Sequence, residues 1–261
     1  MTAFSSQIMA DIEYAADLFH EAERAVVLTG AGISTPSGIP DFRSEGTGLW
    51  SRDESLDVAS LTNFRINPEK FYSWFRPLAA QIYNAEPNSA HIALAQMENA
   101  GKLKAVVTQN IDMLHQKAGA VKVIEMHGTL QTLSCTRCYQ QVEYHDYLPP
   151  YIEKGIIPRC PACASVLKPD VILFGEQLPQ KAWLEAQKAC RECDLILVAG
   201  SSLEVLPVAG LPMQAVDRGA HLIIVNQTPT YLSVRADINI FENVAEVIPL
   251  IKDQVMYGQK L

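Results

Sequence analysis

Four cysteines in two Cys-x-x-Cys pairs have the spacing of a metal site. Cys135 and Cys138 are separated by 21 residues from Cys160 and Cys163. Two such pairs supply four thiolates, which is the tetrahedral ligand set of Zn²⁺. Because four protein ligands leave no open position for a substrate, we predict one structural zinc ion that holds its segment together.

A third Cys-x-x-Cys pair, Cys190 and Cys193, has no matching partner pair. It lies at the end of a predicted helix over residues 183–193, and free cysteine is among the most buried residue types. We therefore expect two core thiols here. His145 lies between the two zinc pairs, and we expect it to be a solvent-exposed loop residue rather than a metal ligand.

A glycine turn follows the first apolar run of the chain. Residues 25–28 lead into Thr29-Gly30-Ala31-Gly32-Ile33-Ser34. Glycines allow a phosphate to approach the backbone closely, but they also form ordinary tight turns, and this pattern alone does not separate the two. Thr35 stands where the dinucleotide fingerprint of dehydrogenases has a third Gly or Ala, which disfavours that class.

The next segment adds a stiff, aromatic-containing loop. Pro36 and Pro40 restrict the backbone, Arg43 can reach a phosphate, and Phe42 can cover a reactive sugar carbon. The alternative is a surface loop with one buried phenylalanine.

Short apolar runs that end in small or polar residues recur along the chain. They are unbroken rather than alternating, as in parallel strands buried on both faces. The runs cover residues 25–28, 103–107, 121–126, 195–199, 221–225 and 238–241. Helical patterns lie between them, including residues 89–100 with Asn88 as the N-cap. The prediction is a Rossmann-like open parallel α/β sheet with helices on both faces, whose ligands bind beyond the carboxyl ends of the strands.

Two segments interrupt this alternation. Residues 37–85 are rich in turn formers and aromatic residues, and residues 129–169 contain the four zinc-site cysteines. We predict a sheet domain made of residues 1–36, 86–128 and 170–261. The helical insert of residues 37–85, which includes the stiff loop that could cover a ligand, and the zinc insert then form a smaller lobe, with a cleft between the two parts.

Composition limits the range of functions. A net charge of −8 and a pI of about 5.3 disfavour nucleic acid as a partner. Apolar runs stay well short of the roughly 18 residues that suggest a membrane span, and the first 23 residues lack the basic start of a secretory signal. We expect a cytoplasmic protein with no membrane association.

Several motifs, in order, resemble those of the sirtuins. Residues 30–34 running into Gly38-Ile39-Pro40-Asp41-Phe42-Arg43 resemble the NAD-binding signature of that family. Residues 108–115, the Met126-His127-Gly128 triplet, Gly200-Ser201-Ser202-Leu203 and Val225-Asn226 resemble the family's later motifs, and the zinc cysteines fall in the matching place. The resemblance covers roughly residues 8–250 and is closest to single-domain members of bacterial or archaeal type.

The resemblance implies an NAD⁺-consuming protein-lysine deacetylase. The acyl-lysine oxygen attacks the anomeric carbon of the nicotinamide ribose, and the products are nicotinamide, O-acetyl-ADP-ribose and free lysine. It assigns catalysis to His127, as general base, and Asn110. The expected cofactor contacts are Gly30, Ala31, Gly32, Ile33, Pro40, Asp41, Phe42, Arg43, Trp50, Gln109, Asn110, Asp112, His127, Gly200, Ser201, Ser202, Asn226, Gln227 and Ile238.

Residues 168–176 resemble the substrate-binding strand of the sirtuins. An acyl-lysine peptide is expected to add to it as an extra strand, with Val171, Phe174, Gly175 and Glu176 as contacts. The family's acid-acyl members carry a Tyr-x-x-Arg pair. Here Tyr72 is followed three residues later by Phe75, with Arg76 one place off, so we predict a preference for acetyl or a similar neutral chain.

Three other functions are compatible with parts of this pattern. An ADP-ribosyltransferase would use the same NAD site, and a non-catalytic module would bind NAD⁺ without turnover. A dehydrogenase is the third and is disfavoured by Thr35. His127 and the polar residues at the strand ends favour an enzyme over a binding module.

Overall fold

The computed structural model describes residues 4–41 and 57–258. Its strands are β1 (Ala25–Thr29), β2 (Ala105–Thr108), β3 (Val123–Glu125), β4 (Gly128–Cys135), β5 (Gln141–Glu143), β6 (Leu167–Val171), β7 (Leu195–Ala199), β8 (His221–Val225) and β9 (Ile238–Ile240). Its α-helices are α1 (Ser6–Glu21), α2 (Leu61–Ile66), α3 (Pro68–Asn84), α4 (Ser89–Asn99), α5 (Leu114–Lys117), α6 (Leu148–Lys154), α7 (Gln180–Glu192), α8 (Leu211–Val216) and α9 (Val244–Tyr257).

Six strands form one parallel sheet in the order β3-β2-β1-β7-β8-β9. Every residue of β1 and β7 is buried, which confirms strands covered on both faces. The chain runs outward from β1 in one direction and from β7 in the other. The boundary between these two strands is therefore the topological switch point, where open α/β sheets bind ligands.

Helices cover both faces of this sheet, as predicted. On one face, α1, α4 and α9 bury apolar residues such as Ile12, Leu94 and Ile248 against Val27 and Leu197. On the other face, α7 and α8 pack over Val26 and Ile196. Each of the three helices on the first face begins with a side-chain cap: Ser5 for α1, Asn88 for α4 and Asn243 for α9. The predicted cap at Asn88 is confirmed.

The predicted elements are present, with shifted ends. The strand expected over residues 121–126 is only Val123–Glu125. The backbone N–H groups of Val121 and Lys122 donate instead to the carboxylate of Glu98 on α4, at 2.8 and 2.6 Å. The helix expected over residues 183–193 begins earlier, at Gln180 directly after Pro179.

The remaining strands and the helices α2, α3 and α6 form a smaller lobe. Its antiparallel sheet has the order β5-β4-β6, and its core joins aromatic residues of α2 and α3 to the zinc insert. Phe64, Phe71 and Tyr72 pack edge to face, and Tyr151 of α6 packs on Tyr72 with ring centroids 5.1 Å apart. The prediction that both inserts build one lobe is confirmed. β6 runs through Val171 and so extends past residue 169, where the predicted insert ends.

Cys190 and Cys193 are buried beneath the sheet, as expected. Burial raises the pKa of both thiols to about 12, so they are neutral core groups. No helix within residues 4–41 and 57–258 has the length and apolar character needed to cross a bilayer.

Candidate active site at the carboxyl edge of the sheet

Two loops at the switch point pack so closely that their backbones are in direct contact. The turn after β1 meets the turn after β7, where the N–H of Gly32 donates to the carbonyl of Gly200 at 2.9 Å. A Cβ on Gly32 would lie 2.9 Å from the Gly200 carbonyl oxygen, and one on Gly200 would lie 2.2 Å from the Ile33 nitrogen. These glycines are therefore required for loop packing, whatever they bind. The N–H groups of Gly30 and Gly32 both donate within the protein.

Asn110 joins the loop after β2 to the turn after β1. Its side-chain Nδ2 donates to the carbonyl of Gly30 at 3.0 Å and to Oγ of Ser34 at 3.1 Å. Both hydrogens of the amide are used in this way, so Oδ1 is the atom that remains for a ligand. Only 6% of Asn110 is exposed, and its orientation is fixed by these two contacts.

Asp112 lies at the end of the same chain of hydrogen bonds. Oγ of Ser34 donates to Oδ2 of Asp112 at 2.6 Å, and the N–H of Leu114 donates to Oδ1 at 2.9 Å. Burial raises the pKa of the Asp112 carboxyl group, and these two hydrogen bonds oppose the rise. The predicted residues Gly30, Asn110 and Asp112 therefore belong to one connected polar cluster with Ser34.

His127 lies two residues after the end of β3, at the same edge of the sheet. Its Nδ1 lies 2.8 Å from the carbonyl oxygen of Gln109. A carbonyl only accepts, so Nδ1 must carry the ring proton and Nε2 must carry the lone pair. Burial lowers the pKa of His127, and the hydrogen bond to Gln109 opposes this. The ring is therefore neutral near pH 7, with Nε2 able to accept a proton.

Gly128 fixes His127 at the junction of the two sheets. The N–H of Ile172, just after β6, donates to the carbonyl of His127 at 2.8 Å. Gly128 has φ +77°, and a Cβ there would lie 2.1 Å from the carbonyl oxygen of Asp170. Only glycine allows β6 to come this close, so the His-Gly dipeptide has a geometric cause.

The predicted residues near β7 and β8 form the far side of the edge. Nε2 of Gln109 donates to Oγ of Ser201 at 3.0 Å, and Asn226 is held by Nδ2 donating to the carbonyl of Thr228 at 2.8 Å. Ser202 and Gln227 are exposed. Ile238, by contrast, begins β9 and packs in the core with α1 and α9. Its side chain is turned into the core.

The substrate-strand prediction falls on a segment with unusual pairing. Beyond Val171, which is buried, the N–H of Phe174 donates to the carbonyl of Ala59, and Leu61 N–H donates to the carbonyl of Phe174, both at 3.0 Å. Phe174 is 47% exposed, and Gly175 has φ +87°. The chain turns sharply here and presents its aromatic side chain at the surface.

Glu176 holds this turn together. Its Oε2 accepts the N–H of Leu173 at 2.8 Å and lies 2.9 Å from Nζ of Lys168. The ammonium group of Lys168 also donates to the carbonyl of Val171 at 2.8 Å. The carboxylate of Glu176 is therefore bonded within the protein, where it shapes the turn that carries Phe174, and the predicted substrate contact of this residue stays a prediction.

The four predicted metal ligands converge. The sulfur atoms of Cys135, Cys138, Cys160 and Cys163 all lie within 4.8 Å of one another. Sγ of Cys135 is 3.5 Å from that of Cys163, and Sγ of Cys138 is 3.5 Å from that of Cys160. Thiolates about 2.3 Å from one tetrahedral Zn²⁺ are about 3.8 Å apart, so this cluster fits the ion. His145 lies outside it, exposed and paired with Asp146.

The chain resembles known proteins along most of its length. The model of the Sir2 family matches residues 30–207. The chain belongs to the Sir2 family. The NAD-dependent protein deacylase 2 of Archaeoglobus fulgidus is 44% identical over 94% of this chain and 96% of its own.

Solved Sir2 structures have the same fold. One, from work on the mechanism and regulation of Sir2 enzymes, has a TM-score of 0.87 at 43% identity, covering 96% of this chain and 99% of that one. Another holds a deacetylated p53 peptide and 3'-O-acetyl-ADP-ribose; its TM-score is 0.86 at 38% identity, and it covers 95% and 99%. The sirtuin resemblance predicted from the motifs is confirmed.

Part of the Sir2 signature lies outside the described residues. Phe42, Arg43 and Trp50 are in that part, so their predicted roles stay predictions. Pro40 and Asp41, just before it, are half-buried, and Ala31 is half-buried within the glycine turn. Ile33 is fully buried, so only its backbone is near the edge.

Tyr72 and Arg76 do not form the acyl-selecting pair of the acid-acyl sirtuins, because both side chains bond within the lobe. Tyr72 is buried, and its hydroxyl donates to the carbonyl of Leu167 at 2.6 Å. Phe75 is buried in the lobe core. The guanidinium of Arg76 donates to the carbonyls of Ile152 and Glu153, both at 2.9 Å, at the end of α6. The guanidinium of Arg76 therefore caps the carboxyl end of α6.

One exposed aromatic residue was missed at the carboxyl edge. Phe241 directly follows β9 and is 46% exposed. The N–H of Asn226 donates to the carbonyl of Ile240 at 3.1 Å, so Phe241 adjoins the Asn226 loop. The sequence interpretation placed it inside the last strand. Its position after the final apolar residue of that strand was the signal that could have identified it.

Proposed function

We propose that this chain is an NAD⁺-dependent protein-lysine deacetylase that releases nicotinamide and transfers the acetyl group to ADP-ribose. The observation that carries the proposal is the neutral His127 ring with Nδ1 bonded to Gln109 and Nε2 left as a base. His127 lies at the carboxyl edge of the sheet, together with Asn110 and Asp112. The A. fulgidus relative is named an NAD-dependent deacylase, and a structural neighbour holds an acetyl-ADP-ribose.

The residues at this edge fit a dinucleotide with two ribose groups. Oδ1 of Asn110 is an acceptor for a sugar hydroxyl or an amide, because both hydrogens of its Nδ2 are bonded elsewhere. Ser201 and Asn226 lie at the ends of β7 and β8, on the other side of the switch point. We assign the nicotinamide half to the Asn110 side and the adenosine half to the Asn226 side, where Phe241 offers an aromatic surface.

Bound NAD⁺ supplies an anomeric carbon that can accept the acyl oxygen of the substrate lysine as nicotinamide leaves. Nε2 of His127 takes a proton from a ribose hydroxyl, so that this hydroxyl can attack the acyl carbon. The Gln109 carbonyl keeps the lone pair on Nε2 and stabilises the imidazolium that forms. Asp112, held by Ser34, adds negative potential beside a reaction centre with cationic character.

The acyl-lysine peptide is proposed to bind along the turn after β6. The main-chain groups of Phe174 pair with residues 59–61, and those of Leu173 pair with Glu176. Gly175 is therefore the first residue of the turn whose N–H and carbonyl remain for an added strand. The exposed ring of Phe174 is proposed to cover the lysine stem. Arg76 is used at the end of α6, so the proposed acyl group is neutral.

The decisive experiment measures nicotinamide release from NAD⁺ with and without an acetyl-lysine peptide, while mass spectrometry follows the peptide. The variants are His127→Ala and, as the matched control, His145→Ala, which removes an exposed histidine of the zinc insert. We expect release that depends on peptide, yields deacetylated peptide, is lost in His127→Ala and is kept in His145→Ala.

Two results would overturn the proposal. Equal release without peptide would indicate a glycohydrolase or an ADP-ribosyltransferase, and labelled NAD⁺ would identify the latter by ADP-ribose on protein. NAD⁺ binding by calorimetry with no release would indicate the non-catalytic module.

We also propose a cytoplasmic location. The six cysteines are free in the structure, and a zinc thiolate cluster with two neutral core thiols suits a reducing compartment. Fractionation of cells that express the tagged chain would test this, and recovery in an extracellular or membrane fraction would contradict it.

A further inference from the structure

The loop that carries Asn110 and Asp112 returns to the sheet. After β2 the chain passes Asn110 and Asp112, then forms the single turn of α5. The N–H of Leu114 bonded to Asp112 begins this turn, and Met113 takes φ +63°. His115 is thereby directed back to the ends of β1 and β2, where its Nε2 lies 2.9 Å from Oγ1 of Thr29.

Two threonine hydroxyls connect His115 to Asn110. Thr29 and Thr108 are the last residues of β1 and β2 and are register partners. Oγ1 of Thr29 donates to Oγ1 of Thr108 at 2.9 Å, and the backbone N–H of Asn110 donates to the same Thr108 oxygen at 3.1 Å. Since the Thr29 hydroxyl spends its only hydrogen on Thr108, it must accept from His115. His115 is therefore the Nε2–H tautomer.

This chain of hydrogen bonds is closed off from water. Thr29, Thr108 and His115 are each at most 2% exposed. His91 of α4 packs edge to face on the ring of His115, with centroids 4.8 Å apart. Buried polar groups that are linked in this way stiffen the backbone they bond to, because breaking one bond leaves an unpaired group away from water.

We propose that His115 is a positioning residue that, through the hydroxyls of Thr29 and Thr108, fixes the backbone of Asn110 and hence the direction of its Oδ1. Asn110 is thereby held from two sides. Its backbone N–H bonds to Thr108, which is linked through Thr29 to His115. Its side chain bonds to Gly30 and Ser34 in the turn after β1. When the hydroxyl chain behind Thr108 is broken, the Asn110 side chain keeps Gly30 and Ser34 as partners, but the Asn110 backbone is no longer fixed.

Thr29→Val is the sharpest variant, because it keeps the shape of the side chain and removes only the hydroxyl. Thr29→Ser is the matched control, because it keeps Oγ and loses a methyl group. His115→Gln retains an N–H donor at the end of the side chain, whereas His115→Leu removes it. Unfolding temperatures measured for all four variants report any general loss of stability.

The first measurement is hydrogen–deuterium exchange of the NAD⁺-free protein over residues 109–117. We expect faster exchange in Thr29→Val and His115→Leu, with wild-type rates in Thr29→Ser and His115→Gln. This readout needs neither NAD⁺ nor turnover, so it remains decisive if the proposed function fails. Wild-type exchange in Thr29→Val would overturn the proposal.

The second measurement rests on the proposed function and separates KM for NAD⁺ from kcat. We expect Thr29→Val and His115→Leu to raise KM and the calorimetric Kd for NAD⁺ by about tenfold. A change of this size corresponds to the free energy of about one hydrogen bond. Thr29→Ser and His115→Gln should stay within about threefold. Lower unfolding temperatures with KM and Kd unchanged would show that His115 only packs the core, and would overturn the proposal.

Discussion

The hydroxyl of Ser34 donates a 2.6 Å hydrogen bond to the carboxylate of Asp112, although the two residues lie 78 positions apart. Both are almost fully buried, at 1% and 4% exposure. The contact joins the turn after β1 to the loop after β2, and the same Ser34 oxygen receives Asn110. One hydroxyl thus lowers the pKa of the Asp112 carboxyl group against the effect of burial and orients the Asn110 amide.

Ser34→Ala is expected to shift the acid limb of the pH–activity profile. The Ser34 hydrogen bond favours the ionised carboxylate, so its loss raises the pKa of Asp112 further above the ordinary value. If ionised Asp112 is required, kcat/KM for NAD⁺ should begin to fall at a higher pH than in wild type. Thr35→Ala, a change at the adjacent exposed residue, is the control. An acid limb that is unmoved or moves to lower pH contradicts this assignment.

Stability is expected to decline as pH falls from about 6.5 to 4. Burial lowers the pKa of His91 to about 4 and that of His115 well below its ordinary value. In this window the unfolded chain takes up protons that the folded chain excludes, so the free energy of unfolding rises with pH. His91 alone accounts for about 3 kcal/mol across the window.

Urea unfolding at a series of pH values measures this slope. His91→Phe keeps a ring against His115 and removes the titrating group, so its stability should depend less on pH than that of wild type. His145→Phe, at an exposed site, should leave the slope unchanged. Equal slopes in wild type and His91→Phe would refute the assignment to His91.

Loss of the zinc site should unfold the smaller lobe. Cys160 is 3% exposed and its thiolate is one of four converging ligands, so Cys160→Ser removes a ligand inside the lobe core. Metal analysis should give about one zinc per wild-type chain and far less for the variant, with lower helix content by circular dichroism. Cys190→Ala, in the unmatched pair, should retain the zinc. Full zinc content in Cys160→Ser would argue against the site.

Gly128→Ala should be far more destabilising than another glycine change at a similar backbone angle. Its Cβ would lie 2.1 Å from the Asp170 carbonyl, so β6 must move away from His127. We expect a loss of more than about 3 kcal/mol and a strong fall in activity. Gly101→Ala, with φ +76° and open space around it, carries only the backbone cost of about 1 kcal/mol. Similar losses from the two substitutions, measured by urea unfolding, would contradict the steric argument.

Acetyl-lysine is expected to react faster than succinyl-lysine in otherwise identical peptides. A succinyl carboxylate needs a cation beside it, and the guanidinium of Arg76 is committed to the carbonyls of Ile152 and Glu153. The measurement is kcat/KM for the two peptides at saturating NAD⁺. Desuccinylation that matches or exceeds deacetylation would show that another cation serves the acyl pocket.

The sequence was sufficient to predict the sheet, the second lobe and the zinc cysteines. Unbroken apolar runs indicate buried parallel strands, and paired thiols have few uses other than metal binding. The side-chain contacts were less accessible. The bonds of the Glu176 carboxylate to Leu173 and Lys168, for example, depend on a turn that no local pattern reveals. Ile238 was assigned to the cofactor from its motif position, although alternation along β9 turns it into the core.

The glycines of the turn after β1 also show what could not be predicted from the sequence alone. Gly30 and Gly32 were interpreted as a phosphate-facing turn or a plain tight turn, and neither alternative included the loop after β7. Their need for glycine arises from Gly200 and Ser201, about 170 residues further on. A contact at that separation is set by the strand order, which brings β1 beside β7, and strand order is not a property of any short segment.

The core of the smaller lobe is built from two segments that are separated along the chain, so it cannot form during synthesis until both have been made. Helices α2 and α3 leave the ribosome early, with Phe64, Phe71 and Phe75 still uncovered. The residues that cover them, including Tyr144, Tyr151 and Leu173, are made only after two further strands of the large sheet. A nascent chain therefore carries an unshielded aromatic surface for a substantial part of its translation, and this interval is when it most needs a chaperone.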